Sequence, residues 1–203
     1  MKAVIINYHA GNIRSVTFAL ERIGVTPILS DDAEEIKSAD KIIFPGVGEA
    51  SSAMGYLKEK KLDEVIKNLK QPVLGICLGM QLLCKYSEEG NTDCLGIFDV
   101  DIKHFISPNE ISASRSGDTK VPQIGWNKIY NLKSPLFKGI KENEYMYFVH
   151  GYYAGQNKYS IATANYILEY SCALQKDNFY VAQFHPEKSA AAGEKLLKNF
   201  FEL

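Results

Sequence analysis

Pro72-Val73-Leu74-Gly75-Ile76-Cys77-Leu78-Gly79-Met80-Gln81-Leu82-Leu83 decides how the rest of the chain is read. Residues 72–77 form a short apolar run of the kind used by a parallel strand buried on both faces. From Met80 the pattern continues as helix to Lys85. Gly75 and Gly79 stand two positions either side of Cys77. The Gly-x-Ser-x-Gly elbow has this layout: its glycines relieve crowding around a strained turn that pushes a nucleophile out at the strand end. Here a thiol replaces the hydroxyl. A thiol at a helix N-terminus feels the positive end of the dipole, which favours the thiolate. The first helical N–H, that of Leu78, is expected to be free to face a developing oxyanion. The same residues also fit a structural cysteine closing a buried strand, because cysteine is among the most buried residue types. The segment alone leaves both readings open.

Outward from this turn, strand-like and helix-like segments alternate. Residues 2–8 are apolar and β-branched. Ile13, Val16, Leu20 and Ile23 give residues 12–23 a helical spacing. Residues 25–29 and 41–44 read as strands, and residues 55–69 as a helix with Leu57, Leu62, Val65, Ile66 and Leu69 on one face. This alternation predicts an α/β fold, with a mostly parallel sheet and helices on both faces. From Asp93 onward, aromatic and β-branched segments at 98–105, 124–130, 145–153, 159–165 and 179–184 predict antiparallel strands added to the same sheet. Residues 108–119 are polar and read as a mobile loop. Residues 189–201 close the chain as a helix with Ser189 as N-cap.

The 203 residues, 46% of them hydrophobic, suffice for one large core, and a single domain over 1–203 is expected. With 23 basic and 24 acidic residues, nothing in the charge balance asks for nucleic acid or an anionic membrane. No apolar run reaches bilayer length and the first residues lack a signal-peptide layout, so the expected compartment is the cytoplasm. The four cysteines, Cys77, Cys84, Cys94 and Cys172, include no Cys-x-x-Cys pair, and no metal or cofactor is expected.

A distant segment supplies candidates for a base. Phe184-His185-Pro186-Glu187 follows the strand-like Tyr180-Val181-Ala182-Gln183. In extended chain, residues two apart point to one side, and Pro186 biases His185 towards extended geometry. His185 and Glu187 can therefore project together, as general base and its orienter, towards a Cys77 nucleophile. A third segment, Pro45-Gly46-Val47-Gly48, ends the strand at 41–44. It places a glycine-rich turn where doubly wound folds bind ligands, and its Val47 and Gly48 N–H groups can complete an oxyanion hole with Leu78.

Together the three segments, with Met80-Gln81 after the elbow, resemble the class I, triad-type glutamine amidotransferases. Within that class the match is closest to the glutaminase subunits of imidazole glycerol phosphate synthases. It rests on Ala10-Gly11-Asn12, Ser87-Glu88-Glu89-Gly90, Pro122-Gln123-Ile124-Gly125-Trp126-Asn127, Tyr147-Phe148-Val149-His150 and Lys188-Ser189. The resemblance implies a flavodoxin-like sheet, a thioester on Cys77, and ammonia released from L-glutamine and passed to a barrel-shaped cyclase subunit in a heterodimer of histidine biosynthesis. It implies glutamine contacts by Gln81 and Glu89 and by backbone near Gly46, Val47, Gly48, Val149, His150 and Gly151. It also places Asn12, Trp126 and Lys188 at the partner interface, whereas the one Trp of a domain this size usually packs inside. The chain departs from the family pattern at Asn7-Tyr8-His9, at Gln123 and at Gly151.

Three other readings share these residues. One is a paralogous subunit supplying ammonia for surface-sugar amination. Another is a non-catalytic scaffold of the same fold, which predicts a missing triad member, and none is missing. The third is a cysteine protease or thioesterase.

Overall fold

The computed structural model describes residues 1–8, 12–105 and 120–203. The expected loop at 108–119 lies outside them, as do His9, Ala10 and Gly11. Strands β1 (Ala3–Ile6), β2 (Ile28–Ser30), β3 (Lys41–Phe44) and β4 (Val73–Ile76) lie parallel in the order β2-β1-β3-β4. The order of the flavodoxin-like doubly wound sheet begins in the same way. Continuing along the sheet, the late strand β13 (Phe179–Ala182) pairs parallel to β4, with Ala182 opposite Ile76. The stretch at 179–184 is thus the fifth parallel strand, antiparallel only to its other neighbour, β12 (Glu169–Lys176).

Alternation along the inner strands divides the core. Val4, Ile6, Ile42, Phe44 and Val73 face one layer, with Leu57, Leu62 and Leu83 from its helices. Ile5, Ile43, Leu74 and Ile76 face the other, against Val16, Leu20, Leu197 and Phe200. β1, β3 and β4 are buried at every residue, which is why, after Lys41 at the start of β3, they read as continuous apolar runs.

Several expected elements differ in detail. The helix expected at 55–69 is two helices, α3 (Ala50–Glu59) and α4 (Leu62–Lys67), divided where Lys61 takes φ 56°. The aromatic segments divide between two sheets: β7 (Asp101–His104) and β10 (Tyr152–Ala154) extend the main sheet through β12, whereas β8 (Gln123–Ile129) and β9 (Glu144–His150) form a separate two-stranded sheet. β12, which carries Cys172, was not among the expected strands. Ser189 precedes the C-terminal helix Ala190–Glu202 but makes no side-chain cap. Its hydroxyl instead donates to the His185 carbonyl at 2.7 Å and accepts from the Tyr147 N–H at 2.9 Å, tying β9 to the turn after β13.

Candidate active site

Parallel alignment brings the ends of β1, β3, β4 and β13 to one edge. Asn12, the Pro45–Gly48 loop, Cys77 and His185 follow those four strands in turn. The Cys77 N–H donates to the Ala182 carbonyl at 2.8 Å, so the elbow leaves β4 beside the strand that delivers His185.

The elbow is strained as expected. Cys77 holds φ 53° and ψ −107°, a conformation costing a non-glycine residue on the order of 1–3 kcal/mol. The following helix, α5 (Leu78–Leu83), lies so close to β3 that a Cβ on Gly79 would collide with the Phe44 carbonyl oxygen. A Cβ on Gly75 would come within 2.8 Å of Leu83 on the same helix. Both glycines are needed for close approach of backbone and helix.

His185 Nδ1 lies 2.7 Å from Glu187 Oε1, and both side chains are buried. The reason differs from strand alternation. His185 is extended (φ −100°, ψ 93°), but Glu187 sits in a 3-10 turn, Pro186–Lys188, which curls its carboxylate back under the imidazole. The ring also sits close enough to Cys77 to feel it, while the thiol itself donates to the Val149 carbonyl at 3.7 Å. Burial pushes the His185 pKa down, but the interactions with Cys77 and Glu187 outweigh it, and the pKa is raised to about 10. Asn12 Nδ2 donates to the same Glu187 oxygen at 2.5 Å, so the side chain placed by resemblance at a partner interface also braces the carboxylate.

Leu78 departs from expectation. Its N–H is not free: it donates to the Gly46 carbonyl at 3.3 Å. The β3 loop therefore turns a carbonyl, where a donor was expected, towards the start of α5.

Cys77 opens into a cleft of about 270 Å³ whose walls include Val47, Gly48, Leu78, Gln81, Glu89, Val149, His150 and Gly151. Gly46 is buried beside it. The Glu89 carboxylate accepts the Ala50 N–H at 2.8 Å; burial raises its pKa, against the pull of that hydrogen bond. The His150 side chain turns away, to the Tyr152 carbonyl at 2.6 Å and the Tyr170 hydroxyl at 3.2 Å. Gln123, a departure from the family pattern, accepts from that hydroxyl at 3.0 Å.

Two residues at the site were not singled out from the sequence. Gln183 donates to Cys77 Sγ at 3.6 Å and accepts from Gln81 at 3.1 Å. Its signal in the sequence was a polar residue between apolar Ala182 and Phe184 at a strand end, and the structure buries it fully. Tyr8, noted only as part of a departing tripeptide, donates from its buried hydroxyl to the Pro45 carbonyl. Trp126 is 52% exposed, which rules out the core reading. It lies on the outer face of the two-stranded sheet, where Ile124 and Tyr145 are also exposed, and its ring meets Tyr147 edge-on at 5.8 Å. Lys188 is exposed.

A strained thiol, a hydrogen-bonded imidazole–carboxylate pair and a cleft suit acyl transfer through a thioester. Comparison with known proteins agrees. The chain is 57% identical to the imidazole glycerol phosphate synthase subunit HisH of Bacteroides fragilis strain YCH46, over all of both chains. It is 46% identical to the subunit of the same name from Haemophilus influenzae strain Rd, covering 98% of this chain and 96% of that one. Among solved structures, a glutamine amidotransferase superposes with TM-score 0.72 at 15% identity, covering 98% of this chain and 97% of that one. Another, from Thermotoga maritima, gives 0.62 at 15%, covering 100% and 83%. Residues 4–203 match the family Glutamine amidotransferase class-I, and the chain belongs to it.

Proposed function

We propose that this chain is the glutaminase subunit of an imidazole glycerol phosphate synthase, one amidotransferase unit over residues 1–203 acting in the cytoplasm as half of a heterodimer. The single observation that carries the chemistry is a strained Cys77 at the mouth of a cleft beside a hydrogen-bonded His185–Glu187 pair. The cyclase partner is supported by the full-length identity to subunits that bear that enzyme's name.

In this reading the Cys77 sulfur attacks the side-chain amide carbon of L-glutamine. The C–N bond then breaks, and His185 delivers its proton to the departing nitrogen, leaving ammonia and a thioester. Water next adds to the thioester carbon and gives a proton to His185. Collapse of that adduct breaks the C–S bond, releases glutamate and leaves the sulfur beside the reprotonated His185. Glu187, braced by Asn12, orients the ring. Gln81, Glu89 and the backbone of Val149, His150 and Gly151 hold the glutamine. Val47, Gly48 and Leu78 supply oxyanion donors, and this requires the Gly46–Val47 peptide to rotate so that its carbonyl leaves the Leu78 N–H. Asn12, Trp126 and Lys188 mark the face from which the cyclase subunit drives that rotation and receives the ammonia.

Ammonia release from glutamine, measured for the isolated subunit and for its complex with cyclase subunit and acceptor ligand, tests the reading. Slow hydrolysis alone, stimulation in the complex and none in Cys77→Ala are expected. No hydrolysis in either state overturns it.

A further inference from the structure

The loop between β3 and α3 is held at one point from below. Tyr8, at the end of β1, is 3% exposed, and its ring lies 5.1 Å from that of Phe44. Its hydroxyl donates to the Pro45 carbonyl. It also fills the space a side chain on Gly46 would need; the same Cβ would come within 2.7 Å of Leu78 Cβ and 2.9 Å of the Gly79 nitrogen. Tyr8 also borders a cavity of about 240 Å³ that continues along Val47, Gly48 and Leu78. The loop thus has a fixed Pro45 carbonyl, an exposed Gly48, and room beside the peptide between them.

We infer that Tyr8 is a positioning residue for the oxyanion loop: its hydroxyl clamps the Pro45–Gly46 peptide, so that the rearrangement freeing the Leu78 N–H is confined to the Gly46–Val47 peptide. The inference rests on the glutaminase reading. The Pro45 carbonyl belongs to the peptide before the one that must turn, so the clamp persists through a rotation about Gly46. Without it the whole Pro45–Gly48 segment shifts, and Val47 and Gly48 no longer return to one place as charge builds on the substrate oxygen. A donor displaced by a fraction of an ångström loses much of its worth in a transition state while altering ground-state binding little. Burial lifts the Tyr8 pKa well above that of a free phenol, with a smaller push from the charge of Cys77, so the hydroxyl stays protonated as a donor across the working range.

The test is Tyr8→Phe, which keeps the ring on Phe44 and removes only the donor, assayed in the complex beside wild type. The kcat for glutamine should fall about tenfold, the scale of one lost hydrogen bond. KM for glutamine, and the rate at which iodoacetamide alkylates Cys77, should stay within twofold, since alkylation needs the thiolate but no oxyanion hole. A fluorotyrosine at position 8, which keeps the hydroxyl, should restore kcat. If kcat stays within twofold of wild type, if alkylation falls in step with it, or if the variant's melting point collapses, the hydroxyl serves the fold or the nucleophile and the inference fails. Wild type alongside separates this from failure of the glutaminase reading, which shows as no hydrolysis by wild type.

Discussion

The N–H of Leu78 donates to the carbonyl oxygen of Gly46 at 3.3 Å, so the first donor of the nucleophile helix is bound by the loop that should assist it. A bound donor cannot stabilise a tetrahedral oxyanion without first giving up its partner. In the proposed glutaminase reading, Leu78 can serve as an oxyanion donor only after the Gly46 carbonyl has moved away.

Gly48 tests the loop. It holds φ 129°, where a side chain is strained, although a Cβ would meet nothing closer than 4.0 Å. The cost of Gly48→Val is thus conformational, and it falls on an exposed turn. Turnover should fall by the equivalent of about 3 kcal/mol if one oxyanion donor is lost. Circular dichroism and melting should remain close to wild type. Wild-type kcat in a folded Gly48→Val protein removes Gly48 from the hole.

Selective labelling follows from burial. Cys84 and Cys172 are buried thiols whose pKa burial drives far up, and burial, aided by the charge of Asp93, pushes that of Cys94 up to about 12. Only Cys77 has the imidazole of the His185–Glu187 pair beside it and a cleft in front. A glutamine-like electrophile should modify Cys77 alone, read by peptide mass mapping, and Cys77→Ala should abolish hydrolysis. Comparable modification of Cys84 removes the distinction.

His185 and Glu187 should differ in what their loss costs. His185→Ala removes the proton carrier, a loss of about two to four orders of magnitude in rate. Glu187→Gln leaves the carrier and should retain more activity. Stability carries a second signature. The folded pKa of His185, about 10, lies above its ordinary 6.5. The stabilisation from holding that proton is complete below about 6.5 and is lost as pH rises through about 10. Denaturant unfolding between pH 6 and 10 should show wild type losing stability with rising pH, and Glu187→Gln losing less. Parallel curves contradict a raised His185 pKa that depends on Glu187.

The parts of the fold legible in the sequence were those with a periodic signal. β3 and β4 were readable because burial on both faces leaves them apolar, Lys41 at the start of β3 excepted. The nucleophile elbow was readable because close approach to Phe44 admits only glycine at position 79. The state of Leu78 was not legible, because which way a peptide faces leaves no trace in residue type. Asn12 against Glu187 joins residues 175 positions apart, and no local pattern announces such a pair. The break at Lys61 escaped because the residues on both sides keep one helical pattern.

Trp126 should matter to the partner and little to the fold. It is half exposed, but its ring touches Tyr147, whose carbonyl accepts the His185 N–H at 2.8 Å. A contact made on Trp126 therefore has a short path to the imidazole. Trp126→Ala should reduce stimulation of hydrolysis by the cyclase subunit while moving the melting point of the isolated subunit little, because truncating an exposed ring removes little buried area. A large loss of stability with undiminished stimulation contradicts the interface assignment.

The passing of ammonia inside a complex is the prediction with the widest reach. Most free ammonia at neutral pH is protonated and no longer nucleophilic, so release into bulk water wastes it. The site that makes it lies at the edge carrying Cys77, His185 and Asn12, with exposed Trp126 and Lys188 alongside. The bound Leu78 N–H fits a subunit that is slow until a partner releases the Gly46–Val47 peptide. Two substrates given to one Cys77→Ala complex separate supply from use. Glutamine-driven synthesis should vanish, because no thioester can form. Synthesis driven by high ammonium salt should continue, because the cyclase then draws ammonia from solution. In the wild-type complex, glutamine should support synthesis at free ammonia levels too low to do so. If ammonium-driven synthesis disappears with Cys77→Ala, the thiol has a role in the partner's chemistry or assembly that this account does not contain. If isolated wild-type subunit hydrolyses glutamine at the full rate and the partner changes nothing, the Gly46–Leu78 hydrogen bond is no brake and a stand-alone glutaminase is the better description.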